Sequence, residues 1–274
     1  MPAFALPACP PLMKTEGARE AKAVTLTGLP NFPHVHPGDD IAALIVRSTE
    51  SSGILPADND VFVIAQKIVS KAEGRYVDLA TLVPSPCAQE LAAATHKDPR
   101  LVEAILSEST EVVRHREGVI VVAHRLGFVM ANAGIDRSNV DAPAGDERVL
   151  LLPENPDATC AALKVQLEAA FGVKLGIVIN DSFGRPWRNG VVGVALGAAG
   201  CPALLDMMGK PDLFGRPMQV TEIAFADQIA AAASLVMGEA DEGMPVVHIR
   251  GLSLTPPHSS AAALVRPKSQ DMFR

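Results

Sequence analysis

The chain has 274 residues, 48% hydrophobic and 20% charged, with a formal net charge of −7. That length supports one large domain or two small ones, and that balance excludes a disordered chain. The acidic balance and the lack of a long Lys/Arg run argue against nucleic acid as a partner, since phosphate-backbone binding needs a basic field; a small anion held by a few local cations stays open.

Residues 1–22 form a Pro-rich lead-in that reads as a loose tail rather than a signal peptide, and no role is assigned to it. "AVTLTGLP" (23–30) alternates like a strand and stops at a Gly-Leu-Pro break, and Asp39 or Asp40 is placed to cap the helix that follows. "DVFVIAQKIVSKAEGR" (60–75) starts as an apolar β-branched strand and turns polar at Lys67, Ser70, Lys71 and Glu73. Helices are expected over 87–107, then short β-like runs in "EVVRHR", "GVIVVAH", "GFVMANAGID" and "RVLLLP". Residues 157–171 read as an amphipathic helix with Asp157 at its start and Gly172 after its end. "VKLGIVIND" is a buried strand and "VVGVALGAAG" a strand of small residues, whose glycines suggest close packing. A turn, a strand and a long Ala-rich helix follow from 214, and "PVVHIRGL" is a last strand.

Strands cluster and alternate with helices only in places, which favours an α+β protein of two lobes, mixed sheets with flanking helices, over a doubly wound sheet. A lobe boundary is expected near 141–148. Aromatics are only 4%, so Val, Leu, Ile and Ala must build the core. Cys9, Cys87, Cys160 and Cys201 are widely separated without metal-binding spacing, and read as reduced thiols rather than a zinc site. No apolar run reaches the ~18 residues of a membrane helix, so no membrane partner is expected and the chain reads as soluble and cytoplasmic.

Four polar clusters each abut an apolar run: 66–75, 131–139, 180–188 and 237–243. Strand ends commonly present catalytic groups on loops. Asp136 and Asp181, with Ser182, Glu239 and Asp241, are hard oxygen donors suited to Mg²⁺ or Mn²⁺; beside Gly134 and Gly184, spacing alone favours reading the two Asp as turn residues. Lys67, Lys71, Arg185 and Arg188 can hold phosphate or carboxylate, or stand as solvated charge, and the flanking apolar runs favour a core edge. Trp187 can stack on a planar ligand or anchor its loop. Neither GxxxxGK[ST] nor GxGxxG occurs, and His248, in an apolar strand, reads as a satisfied core residue.

Taken together, "GLPNFPHVHPGDDIAALI", "DVFVIAQKIVSKAEGR", "GFVMANAGIDRSNV", "NDSFGRPWRNGVVGVALGAAG", the stretch from Asp212 to Leu252 and the tail "RPKSQDMFR" closely resemble the coenzyme F420-0:L-glutamate ligase (γ-glutamyl ligase) family, in family order. "SKAEGR", "ANAG-D-SN" and "DSFGRPWR" make the resemblance specific. It implies a GTP-dependent ligase that adds L-glutamate to the carboxylate of the coenzyme F420 precursor, with further γ-linked additions in many members. It also implies Mg²⁺ or Mn²⁺, K⁺, and a homodimer of two-lobed α+β subunits. Metal ligands fall on Asp136, Asp181 and Ser182. Nucleotide contacts fall on Leu29, Pro30, Asn31 and Phe32, on Gln66, Lys67 and Lys71, on Asn139, and on the loop Met237, Gly238, Glu239, Ala240, Asp241, Glu242, Gly243 and Met244. Lys71 would offset phosphate charge, and Arg185 and Arg188 would grip a substrate carboxylate or phosphate. Some bacterial members carry a C-terminal nitroreductase-like domain, so the stand-alone form is expected here. A metal-dependent phosphohydrolase using the same acids is the competing reading, and a nucleotide-binding or assembly protein the third.

Overall fold

Apolar β-branched runs pair into a five-stranded sheet at the centre of the fold. The computed structural model describes residues 22–139 and 147–272. In chain order the elements are β1 (Thr25–Gly28), α1 (Ile41–Ser51), β2 (Asp60–Ala65), α2 (Gln66–Ala72), β3 (Tyr76–Asp78), α3 (Pro86–Thr95), α4 (Pro99–Ser107), β4 (Ser109–Arg116), β5 (Val119–His124) and β6 (Val129–Ala131). There follow β7 (Arg148–Leu150), α5 (Pro156–Phe171), β8 (Leu175–Arg185), β9 (Arg188–Ala199), β10 (Leu204–Asp206), β11 (Glu222–Ala224), α6 (Phe225–Met237) and β12 (Val246–Arg250). The main sheet has the order β1-β12-β2-β8-β9, with β2 and β8 parallel and the other neighbours antiparallel.

Strand alternation sends Phe62, Ile64, Ile177 and Ile179 to one face, packed with α1 and α5, and Val61, Val63, Val178 and Val247 to the other, against the alanines of α6. Burial on both faces explains why these strands read as continuous apolar runs. A second region joins the antiparallel sheet β4-β5-β6 to α3 and α4 through Ala88, Val102, Ile105, Ile120 and Val122. The result is α+β, with a mixed sheet and flanking helices. The tail, apart from Lys22, and most of the stretch expected to hold a lobe boundary lie outside the described residues.

Asp40 caps α1, accepting the Ala43 amide at 3.0 Å. Helix α5 begins one residue earlier than expected, with Pro156 in its first turn and Asn155 as the cap accepting the Ala158 amide. Asp157 instead accepts amides of Ala198, Ala261 and Ala262, fastening α5 to β9 and to the C-terminal segment. His248 is the satisfied core residue expected, its Nε2 lying 2.7 Å from Asp60.

Three segments depart from the sequence reading. Gln66–Ala72 is a helix, two turns being too short for the 3.6-residue period to declare itself. "GFVMANAGID" is strand only over Val129–Ala131; the chain then curls through left-handed backbone at Asn132, Ala133 and Gly134. "NDSFGRPWRNG" is the extended end of β8, a turn at Pro186 and Trp187, and the start of β9, paired out to Arg185 and Arg188. Trp187 turns the hairpin with a φ of 64° and is 89% exposed.

Candidate active site

The parallel register of β2 and β8 sets Ala65 beside Asn180, so the segments leaving both strands emerge at the same edge of the sheet. From β2 the chain enters α2, which carries Gln66, Lys67 and Lys71; from β8 it continues into Asp181 and Ser182. The end of α6 and the loop beyond it close the far side. Between them lies a cleft of about 670 Å³ lined by Phe32, Gln66, Lys67, Lys71, Asn139, Asn180, Asp181, Ser182, Ser234 and residues 237–245. Ligand sites in sheets with parallel strands commonly form beyond such carboxyl ends.

Alternation divides the donors. Asp181 shares its side of β8 with Ile177 and Ile179, toward α2. Asn180 and Ser182 point toward α6: the Asn180 amide donates to Ser234 Oγ at 3.3 Å, and Ser182 Oγ donates to Glu239 Oε1 at 2.6 Å. Lys67 Nζ lies 3.0 Å from Asp136 Oδ2 and donates to Ser138 Oγ at 3.0 Å, while Ser138 Oγ donates to Asp136 Oδ1 at 2.9 Å. Asn139 donates to the Ala240 carbonyl at 3.1 Å, joining the 131–139 segment to the loop after α6. Burial pushes the Asp181 carboxyl up to about 7; the Ser182 amide opposes the shift, Asp136 adds to it, Lys67 opposes it and Glu239 adds to it. The interior strips water from this carboxylate, and a cation or ligand proton donor there would favour its charged form.

Helix α2 is fastened from behind. Glu73 accepts the Glu154 amide and the Thr159 hydroxyl, both at 2.8 Å. Arg75 donates to the Leu152 carbonyl at 2.9 Å, to Glu154 at 2.8 Å and to Glu108 at 3.0 Å. Buried Glu108 also accepts from Arg125 at 3.0 Å, with His124 Nε2 at 3.4 Å. Burial opposes ionisation of Glu108, but His124, Arg75 and Arg125 together outweigh it and hold the carboxyl down at about 2.

The profile of the F420-0:Gamma-glutamyl ligase family matches residues 30–251. The chain belongs to this family. Among its relatives is the coenzyme F420:L-glutamate ligase of Methanothermobacter thermautotrophicus, 47% identical over 253 residues, covering 92% of this chain and 99% of the relative. The protein of the same name from Methanopyrus kandleri is 46% identical over 88% of this chain and 93% of its own. That of Archaeoglobus fulgidus is 39% identical over 89% and 93%.

In this γ-glutamyl ligase family member the fold gathers residues from all four polar clusters. Phe32, Gln66, Lys67, Lys71, Asn139, Asp181, Ser182 and Met237, Gly238, Glu239, Ala240, Asp241, Glu242, Gly243 and Met244 line the cleft. Asp136 stands behind the lining, joined to it through Lys67. Leu29 is wholly buried and its amide bonds the Val246 carbonyl, while Pro30 and Asn31 are exposed outside the lining. Arg185 and Arg188 sit at the hairpin tip, away from the cleft of their own chain.

Asn180 and Ser234 belong to the cleft wall although the sequence reading gave them no role. Asn180 was visible only as one letter of a polar run, because its face depends on strand register. Among the described residues no three His, Cys, Asp or Glu form a ready metal cage. Mg²⁺ keeps much of its water and takes only one or two protein carboxylates beside phosphate oxygens, so Asp181 in the cleft suits it, while Ser182, bonded to Glu239, and Asp136, paired with Lys67, would have to turn from those partners to join it.

Proposed function

We propose that this protein joins L-glutamate to the terminal carboxylate of coenzyme F420-0, with GTP hydrolysed to GDP and phosphate. The observation that carries the reading is the division of the cleft: Lys67 and Lys71 on α2 face Asp181, Ser182 and Glu239 beyond β8. A cationic wall suits phosphates, and hard oxygens beside it suit the divalent ion that accompanies them. Relatives named coenzyme F420:L-glutamate ligase, similar over nearly their whole length, support the coenzyme and L-glutamate as substrates.

In the proposed reaction a carboxylate oxygen of the precursor attacks the γ-phosphorus of GTP as the bond to the β-phosphate oxygen breaks, giving an acyl phosphate and GDP. The amine of glutamate then attacks the acyl carbon, the amide forms, and phosphate leaves as the nitrogen loses its proton. Positioning and charge neutralisation dominate the first step. Asp181, Ser182 and Asp136 would hold Mg²⁺ or Mn²⁺, which when bound neutralises phosphate charge. Lys67 holds Asp136 in place, Lys71 offsets charge on the transferred group, and Asn139 fixes the loop over the nucleotide. K⁺ would assist the nucleotide site.

The active form in this reading is a homodimer. Leu213, Phe214 and Val220 on the arm between β10 and β11, and Trp187 on the hairpin, each more than three-quarters exposed, offer apolar area for a second copy. Three described cysteines are free, in keeping with a reducing cytoplasm. Among the described residues no helix is long and apolar enough to cross a membrane.

The test combines F420-0, glutamate, GTP and Mn²⁺ and follows products by mass spectrometry. A glutamyl adduct formed in step with GDP is expected. Free GTP hydrolysis without an adduct would overturn the ligase reading in favour of a phosphohydrolase.

A further inference from the structure

Asn180 is 3% exposed, and its side-chain oxygen is a buried acceptor with no partner among the described residues. Buried polar atoms are rarely left so, because an unmet acceptor costs roughly 1–3 kcal/mol. The amide is oriented by its neighbours. Ser234 Oγ donates its proton to the Ala230 carbonyl at 3.1 Å and is therefore an acceptor toward Asn180, whose Nδ2 donates to it at 3.3 Å. This chain of donors commits Nδ2 to Ser234 and leaves Oδ1 as the unpaired end of a residue that lines the cleft. The position lacks a donor.

The surroundings select the kind of donor. Asn180 and Ser182 share one face of β8, and Ser182 is bonded to Glu239, so the Asn180 side chain belongs to the wall formed by α6 and the acidic loop bearing Glu239, Asp241 and Glu242. The cations Lys67 and Lys71 line the opposite side, on α2. A phosphate would be repelled by the acidic wall and could not donate to Oδ1. An amino group can donate, and the negative potential favours it.

We infer that Asn180 is a binding residue for the amino group of the incoming amino acid, its Oδ1 accepting an N–H and directing the nitrogen toward the activated carboxyl. The inference rests on the ligase reading above. Asn180 contributes no proton transfer; it orients the nitrogen, with Ser234 holding the amide in the required sense.

The test begins with wild-type protein that forms the glutamyl adduct; absence of the adduct there counts against the ligase reading and not against Asn180. With turnover established, Asn180→Ala is expected to raise KM for glutamate about tenfold or more, as for loss of a hydrogen bond to a charged group, while KM for GTP stays within about twofold. Asn180→Asp, which keeps an oxygen at the same point, should recover most of the glutamate affinity. A merely structural role would move both KM values together, and that result, or an unchanged glutamate KM, overturns the inference. Wild-type protein supplies a measurement independent of folding in the variants: the Asn180 side-chain amide signal in ¹⁵N-labelled protein should shift on adding glutamate to the GDP–Mg²⁺ complex. It should stay still with glutarate, which lacks the amine. A signal indifferent to glutamate, or one that moves equally with glutarate, refutes the assignment.

Discussion

Replacing Glu108 with Gln tests how α2 is held in place. The carboxylate is buried between Arg75 and Arg125, each with a nitrogen 3.0 Å away, and Arg75 lies just beyond the end of α2. Its fall from an ordinary 4.5 to about 2 corresponds to about 3 kcal/mol of preference for the charged carboxylate in the folded state. Removing one partner of a buried ion pair costs roughly 3–5 kcal/mol, so the two routes agree. Residual bonds of Arg75 to Glu154 and Leu152, and of Arg125 to the Glu154 carbonyl, keep the loss near the lower figure. At about 2–4 °C per kcal/mol for a chain of this size, Glu108→Gln should lower Tm by roughly 6–12 °C at neutral pH. The pH dependence comes from the sign of the shift. A depressed folded pKa gives stabilisation that is complete above about 4.5, the unfolded value, and is lost as pH falls toward about 2. The gap between wild type and Glu108→Gln, measured by urea unfolding from pH 7 down to pH 3, should therefore be constant above about pH 5 and narrow below it. Equal stability at neutral pH, or a gap that persists unchanged to pH 3, would refute the reasoning.

Asp181→Ala should cut glutamyl-adduct formation by about a thousandfold or more without loss of the folded state by circular dichroism, since a metal ligand is worth several kcal/mol; near-normal turnover removes Asp181 from the site. Chelation with EDTA should stop turnover and excess Mg²⁺ or Mn²⁺ restore it, so full activity after exhaustive chelation would oppose a divalent-ion site. Gly193→Ala adds a Cβ that meets Ser234 Oγ and the Ala230 carbonyl, so α6 must shift from β9. A stability loss of about 1–3 kcal/mol is expected by chemical denaturation, with a larger fractional loss of turnover because Glu239 lies just past the end of α6.

The sheet was legible because strands buried on both faces leave apolar runs in the sequence: "DVFVIA" and "LGIVIN" fall on β2 and β8. Helix α2 was not, being two turns long. The carriers of the site were visible as polar clusters at strand ends, but their meeting was not. Lys67 and Ser138 are 71 positions apart, and nothing local to either announces the other. Arg185 and Arg188 share a cluster with Asp181 in the sequence, but an extended strand carries them some residues farther along, to the hairpin tip. The Glu108 cluster went unread because its members, Arg75, His124 and Arg125, are scattered along the chain.

The pairing of β8 with β2 has a consequence for how this protein tolerates change. Successive residues of β8 serve opposite walls of the cleft, Asp181 toward the lysines and Asn180 and Ser182 toward the acidic loop. Inserting or deleting one residue between Leu175 and Ile179 would exchange those walls, sending a carboxylate to α6 and an amide to Lys67. Folding and chemistry thus read the same count of residues, so a register error cannot yield a stable protein with a weakened site. Length along this strand is a harder constraint than identity, and drift here should proceed by substitution alone.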